Sequence, residues 1–319
     1  LFALQELAIF HRNQFTFPII GITGSNGKTM VKEWLFELLS PEYACFQSPK
    51  SYNSQLGVPL SLWKLSTDFN IAIIEAGISR PGEMGYLANM IQPTLGIFTS
   101  LGTAHREGFS SKAEKLSEKW KLFATATSIV VPSASVLQRG FADDRLISWG
   151  YEANDFVKVI SLTNRFKETY VDIEVHGDSY TLYIPFVDQA SISNVLTCVT
   201  VLLHLGYSMP IIKDRIGLLK PLEMRLKLKK GKNNSSIIDD SYSNDLASLQ
   251  IALDFLNQQN QFESRILILS DFEGEEWTAK FEDKLLELLG NVTLASVVFV
   301  GSRYRRLEGR VLNAYFYNT

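Results

Sequence analysis

The segment Phe17-Pro18-Ile19-Ile20-Gly21-Ile22-Thr23-Gly24-Ser25-Asn26-Gly27-Lys28-Thr29 decides how this chain is read. Phe17 to Thr23 is an apolar run of strand length. Gly24 to Gly27 is too glycine-rich and polar to continue it. Val31, Trp34, Leu35, Leu38 and Leu39 then recur at helical spacing until Pro41 ends the helix. Strand, glycine turn and helix in direct succession are the parts of a phosphate-binding loop. Glycines let backbone N–H groups turn toward a polyphosphate, and the helix presents its positive end. Lys28 would neutralise the β and γ oxygens of a nucleotide such as ATP, and the Thr29 hydroxyl would reach Mg²⁺. The spacing departs from the strict G-x-x-x-x-G-K-[ST] pattern, because Ile22 stands at the first glycine position.

Outward from this loop, Ile71–Glu75, Leu95–Thr99 and Ser128–Val131 read as further buried strands, with a helix over 113–126. Strands alternating with helices predict an α/β fold with a mostly parallel sheet covered on both faces. A helix is expected in residues 1–16 from Leu4, Leu7, Ala8 and Phe10. From about Asp155 the pattern changes: Val171–Val175 and Tyr180–Ile184 predict a hairpin, followed by helices over 191–205 and 209–219. Pro221 marks a hinge. Beyond it come strands at 225–228 and 236–240, a helix at 245–256, a strand at 265–270, a helix at 277–289 and strands at 295–300 and 311–317. This is a second α/β unit.

The chain has 319 residues, 46% of them apolar and 20% charged, with a net charge of −3. That composition excludes global disorder and leaves room for two or three domains. A near-balanced surface argues against nucleic acid as a partner. No apolar run approaches the ~18 residues of a membrane span; Val195–Gly206 is interrupted by Thr197, Thr200 and His204. Two cysteines make no disulfide framework, so a reducing cytoplasm is the expected location. Asp271-Phe272-Glu273-Gly274 matches a D-x-x-G switch motif, but no N-K-x-D base-reading motif accompanies it. It reads as a loop after a strand.

Other segments join the loop in a recognisable series. Thr23–Thr29 resembles the T-G-[ST]-N-G-K-[ST] loop of the Mur ligases and their folylpolyglutamate synthetase relatives. Asn53-Ser54-Gln55-Leu56-Gly57-Val58-Pro59 resembles the family's N-N-x-x-G-V-P segment, and Ile73-Ile74-Glu75-Ala76-Gly77 its strand-end glutamate. Thr103-Ala104-His105 with Gly108-Phe109 resembles A-H-x-x-x-F, and Asp239-Asp240-Ser241-Tyr242 resembles D-D-x-Y-N-x-N. Departures fall at Ser54, at Ala190-Ser191 and at Ser243.

The resemblance implies a three-domain, ATP-dependent and ADP-forming amide-bond ligase. Residues 1–16 would end a uridine-nucleotide domain that is not present. Residues 17–220 would be the central P-loop ATPase domain, and 221–319 most of a Rossmann-like C-terminal domain. A chain starting at Leu1 and ending in a strand is then expected to be a piece of a longer protein. The reaction implied adds D-alanyl-D-alanine to a UDP-N-acetylmuramoyl tripeptide through an acyl phosphate, in peptidoglycan precursor synthesis. The form of enzyme it points to is fused to an alanine racemase. Another amino-acid ligase on the same scaffold and a non-catalytic nucleotide-binding module are the alternatives.

The resemblance also implies roles for single residues. Gly24, Ser25, Asn26, Gly27, Lys28 and Thr29 would bind the phosphates. Glu75 would join Thr29 at one Mg²⁺, at the strand end where open sheets place ligand-binding groups. His105 would serve a second Mg²⁺ and take part in catalysis with Lys28. Lys119 falls where the family carries a carbamylated lysine that ligates metal. It borders the Leu116, Trp120 and Phe123 stripe, where burial disfavours its ammonium; Lys112 and Lys115 lie near the same edge. Asn53 is expected near the phosphates or the acyl-acceptor side. Asn194 matches an adenine-side asparagine, Arg225 an arginine reaching the γ-phosphate, and Asp240 an acid meeting the ribose.

Overall fold

The computed structural model describes residues 1–101, 109–136, 143–165, 168–222, 227–241, 245–258, 264–272 and 277–318. The described residues fall into two compact units, one ending at Lys220 and one beginning at Pro221.

The first unit is organised on β1 (Ile19–Thr23), every residue of which is buried. β1 lies between β3 (Ile71–Glu75) and β4 (Leu95–Phe98) and pairs with both in parallel. β2 (Cys45–Gln47) borders β3, while β5 (Ser128–Pro132), β6 (Leu146–Gly150) and β7 (Val157–Arg165) continue in parallel beyond β4. The two strands of the expected hairpin, β8 (Glu168–Val175) and β9 (Asp178–Ile184), then add antiparallel to β7 and complete one nine-stranded sheet. With β3 on one side of β1 and β4 on the other, the carboxyl ends of these three parallel strands lie where open α/β sheets receive ligands.

Period-2 alternation sends β-strand residues to opposite faces. Ile19, Ala72, Ile74, Ile129 and Val131 join one buried cluster with α1 (Phe2–Arg12), α3 (Gly57–Leu62), α4 (Glu83–Ile91) and α5 (Lys112–Trp120). Across the sheet, α2 (Lys28–Leu39) packs with α7 (Gln189–His204), which in turn meets α8 (Met209–Ile216). Trp34 of α2 stacks on Phe186 at 4.9 Å between ring centroids. The remaining helix of this unit is the single turn α6 (Ser133–Val136).

Several expectations need correction. In α1 the inward face is Gln5, Ala8 and Arg12, and Phe10 is 70% exposed. Arg12 overrides the apolar stripe because its guanidinium donates to the carbonyl of Phe15 and to those of Ile91 and Gln92, which the end of α4 leaves without helical partners. The helix expected over 113–126 stops at Trp120 and passes into a 3-10 turn, Lys121–Phe123. β2, α3, α4, β6 and β7 were not anticipated.

The second unit contains the antiparallel pair β10 (Lys227–Lys230) and β11 (Ser236–Asp239). It also contains a parallel sheet of β12 (Ile266–Ser270), β13 (Ser296–Val300) and β14 (Ala314–Tyr317). α9 (Leu246–Gln258) and α10 (Ala279–Gly290) supply Leu249, Leu253, Phe281 and Leu285 to a core shared with Phe272, Phe299 and Tyr304.

Candidate nucleotide and metal site

The loop between β1 and α2 has the backbone that its glycines require. Gly24 has φ +146° and Gly27 φ +86°, both in the region that side chains other than glycine rarely enter. The C-terminal end of β4 holds the loop open from one side. Ser25 N–H donates to Ser100 O at 2.8 Å, Asn26 N–H to Ser100 Oγ at 3.1 Å, and Thr99 Oγ1 donates to Asn26 O at 2.6 Å. Gly27 caps α2 without a side-chain hydrogen bond of its own, which leaves the positive end of the helix to face an anion. The Ser25 hydroxyl is buried in the loop with no hydrogen-bond partner among the described residues. An incoming phosphate oxygen would satisfy it.

Lys28 folds back over the loop, donating to Gly24 O at 3.2 Å and Ser25 O at 2.9 Å. One residue on, Thr29 Oγ1 donates to Glu75 Oε2 at 2.9 Å and lies 3.2 Å from Ser51 Oγ. Glu75 is buried at the end of β3. Its other oxygen accepts from Asn53 Nδ2 at 2.6 Å, and its backbone N–H donates to Ser48 Oγ at 3.2 Å. Asn53 therefore orients the carboxylate, and Gly77, whose N–H donates to Asn53 O at 2.8 Å, fastens Asn53 in turn. A carboxylate beside a hydroxyl suits Mg²⁺, a hard cation that keeps several waters and takes few protein ligands. Among the described residues no group of three or more His, Cys, Asp or Glu is placed to hold a metal ion.

Lys119 reaches the same loop from α5. Its ammonium is buried and donates to Gly24 O at 2.9 Å. Burial, then the nearby cations Lys28 and Lys115, draw its pKa well below the ordinary lysine value. Lys115 is buried one turn earlier on α5, whereas Lys112 is exposed. Glu118 steadies the helix: its Oε1 accepts from Gly82 N–H at 2.8 Å and Met84 N–H at 3.1 Å, capping α4.

Asn194 approaches from α7. A Cβ placed on Gly27 would fall 2.3 Å from Asn194 Oδ1, so this side chain packs directly on the phosphate loop. Of the other expected residues, Asp240 follows β11 in the second unit, and its neighbour Asp239 pairs with Lys229. His105 and Arg225 lie outside the described residues, as do Tyr242 and Asn244. Four serines and threonines escaped the sequence reading: Ser48, Ser51, Thr99 and Ser100. The latter pair sit at a strand's carboxyl end beside the loop, a position the open-sheet rule points to.

Gly24 is the tightest point. A Cβ there would lie 2.1 Å from Thr99 Oγ1 and 3.0–3.1 Å from the backbone nitrogens of Ser100 and Thr99. Gly24→Ala is expected to lower stability by on the order of 1–3 kcal/mol and to abolish nucleotide binding. Denaturant unfolding together with an ATP titration checks both.

This fold and loop define a phosphate-loop α/β protein with a candidate nucleotide and metal site at the carboxyl ends of its central strands. The chain matches the Mur ligase middle domain over residues 22–202, more than half its length, and belongs to the Mur ligase family. It is 26% identical over 284 residues to the UDP-N-acetylmuramoyl-tripeptide–D-alanyl-D-alanine ligase of Escherichia coli, covering 84% of this chain and 61% of that protein. The Bacillus subtilis enzyme of the same name is 24% identical, with 85% and 60% covered. The chain thus spans about three-fifths of the length of these relatives. In fold, it resembles MurF from Acinetobacter baumannii with a TM-score of 0.85 at 23% identity, covering 100% of this chain and 71% of that one. It also resembles a Thermotoga maritima MurF ligase solved in complex with ADP, with a TM-score of 0.79 at 20% identity and 99% and 79% covered.

Proposed function

We propose that this chain carries the ATP-handling part of an ADP-forming ligase that joins D-alanyl-D-alanine to a UDP-N-acetylmuramoyl tripeptide in the cytoplasm. What supports the reading is one arrangement. Lys28 and Lys119 converge on Gly24 O, while Thr29 and Glu75 meet in the adjacent carboxylate–hydroxyl pair. Relatives sharing most of this chain bear that ligase name. Two free cysteines accord with a reducing compartment. No helix among the described residues is long and apolar enough to cross a membrane.

The chemistry must bring a peptide carboxylate against a γ-phosphate, both anionic. Transfer of the γ-phosphoryl group to the carboxylate releases ADP and leaves an acyl phosphate. Attack by the dipeptide amine then expels phosphate. The loop N–H groups and Ser25 Oγ would hold the phosphates, with Lys28 neutralising charge that develops in transfer. Thr29 and Glu75 would hold Mg²⁺, which supplies Lewis-acid screening of the phosphate oxygens. Lys119, with its ammonium disfavoured, is suited to take up CO₂ as a carbamate. That anion would face Lys28 and Lys115, the same cations that disfavour a third positive charge.

The test is ADP and phosphate release by the protein with the muramoyl tripeptide and ATP. Three acceptors are compared: D-alanyl-D-alanine, D-alanine and L-glutamate. Release that requires the dipeptide is expected. Equal release with a single amino acid would assign the chain to another ligase reaction of the family, and no release with any acceptor would overturn the reading.

A further inference from the structure

Lys32 is a buried lysine that neither the phosphate loop nor the family motifs account for. It lies on α2 one turn beyond Lys28, so the two share a helix face. Its ammonium is fully buried. It donates to Ser48 O at 2.7 Å and to Lys50 O, and lies 3.1 Å from Glu33 Oε1. An ammonium has three protons to place, and these three acceptors account for them. A buried cation is retained only where such partners offset its desolvation.

What Lys32 grips leads directly to the metal-side oxygens. The two carbonyls belong to the turn that leaves β2, in which Lys50 adopts φ +49°. The Ser48 hydroxyl of that turn accepts the backbone N–H of Glu75. Ser51, the residue after Lys50, places its hydroxyl 3.2 Å from Thr29 Oγ1. Two residues later Asn53 donates to Glu75 Oε1. One short segment, Ser48–Asn53, thus touches both members of the Thr29–Glu75 pair, and Lys32 ties its start to the helix that carries Thr29.

We propose that Lys32 is a positioning residue: it fixes the Ser48–Asn53 segment against α2 and thereby holds Glu75 and Thr29 at metal-binding separation. The proposal rests on the reading of this pair as the metal site. It separates two lysines that look alike in sequence, Lys28 serving the nucleotide phosphates and Lys32 the cation beside them.

The experiment uses Mn²⁺ as the probe. Its binding to the protein with ATP present is followed by electron paramagnetic resonance, and ATP binding without metal is titrated separately. Lys32→Met and Ser48→Ala are compared with the parent, with circular dichroism to verify folding. Lys32→Met is expected to weaken Mn²⁺ binding at least tenfold, and Ser48→Ala about three- to tenfold. Metal-free ATP binding should stay within about threefold of the parent in both. A general packing defect would instead weaken both measurements together, and that result overturns the proposal. So does a folded Lys32→Met with parental Mn²⁺ affinity. Should Lys32→Met fail to fold, Ser48→Ala decides, because it leaves the buried lysine in place: parental Mn²⁺ affinity there removes the route through the segment. A parent protein that binds no Mn²⁺ in the presence of ATP would refute the metal-site reading itself, a result distinct from any difference between variants.

Discussion

Lys28→Met is expected to lower kcat/KM for ATP by about 10³-fold, the scale at which a single preorganised charge or donor acts on a developing anion, while the protein stays folded. The geometry explains why the two effects separate. Lys28 is only partly buried, and it donates to Gly24 O and Ser25 O within the loop that follows β1. Gly24 O keeps a second donor in Lys119. The stability cost should therefore stay within about 1 kcal/mol, the range for substitutions that open no cavity and strand no buried charge. A bound triphosphate would offer the ammonium stronger, charge-assisted partners than two carbonyls. Steady-state kinetics, an ATP titration and a thermal midpoint measure the three quantities. A loss of tenfold or less would mean that the loop N–H groups and the α2 N terminus stabilise the transferring phosphate without the lysine.

The central part of this fold is legible in sequence for a physical reason. β1, β3, β4 and β5 are buried on both faces, so each appears as an unbroken apolar run. The glycine turn and α2 follow β1 without a linker. Elsewhere the local signal is weak. β2 is three residues long, and β7 is buried only at Val157 and Val159, with an irregularity between Val159 and Ser161. α1 shows the opposite failure: a clear apolar stripe is overruled by the hydrogen bonds of one arginine. In the candidate site, the glycines, Lys28, Thr29 and Glu75 are tied to a strand end or helix start, and pattern alone locates them. The partners that aim them come from distant segments. Asn53 and Ser48 reach Glu75, and Ser100 reaches Asn26, across separations that no periodicity encodes. Asn53 shows the consequence: its motif marks it as important, but only the fold shows its amide on a carboxylate.

Lys119→Met is expected to move stability and activity in opposite directions. Folded Lys119 has its proton affinity lowered by burial and by Lys28 and Lys115, below the 10.5 of an ordinary lysine. Unfolded Lys119 stays protonated up to about that ordinary value. Between the lowered pKa and 10.5 the unfolded chain therefore binds more protons, and stability rises with pH across this window. At neutral pH this lowered proton affinity is a net cost to the fold. Methionine carries no charge to desolvate and fills a similar volume, and Gly24 O keeps its bond from Lys28. The variant should unfold at a higher temperature than the parent at pH 7, with the difference shrinking as pH approaches 10.5. Turnover should fall by about 10³-fold or more, as for loss of a group that organises charge in the transition state. Bicarbonate supplies a further readout. A carbamate on Lys119 would gain attraction from the same two lysines, so added bicarbonate should raise the parent's midpoint and leave Lys119→Met unmoved. A variant less stable than the parent at every pH would show that Lys119 serves packing. Retained turnover would show that the buried amine takes no part in the reaction.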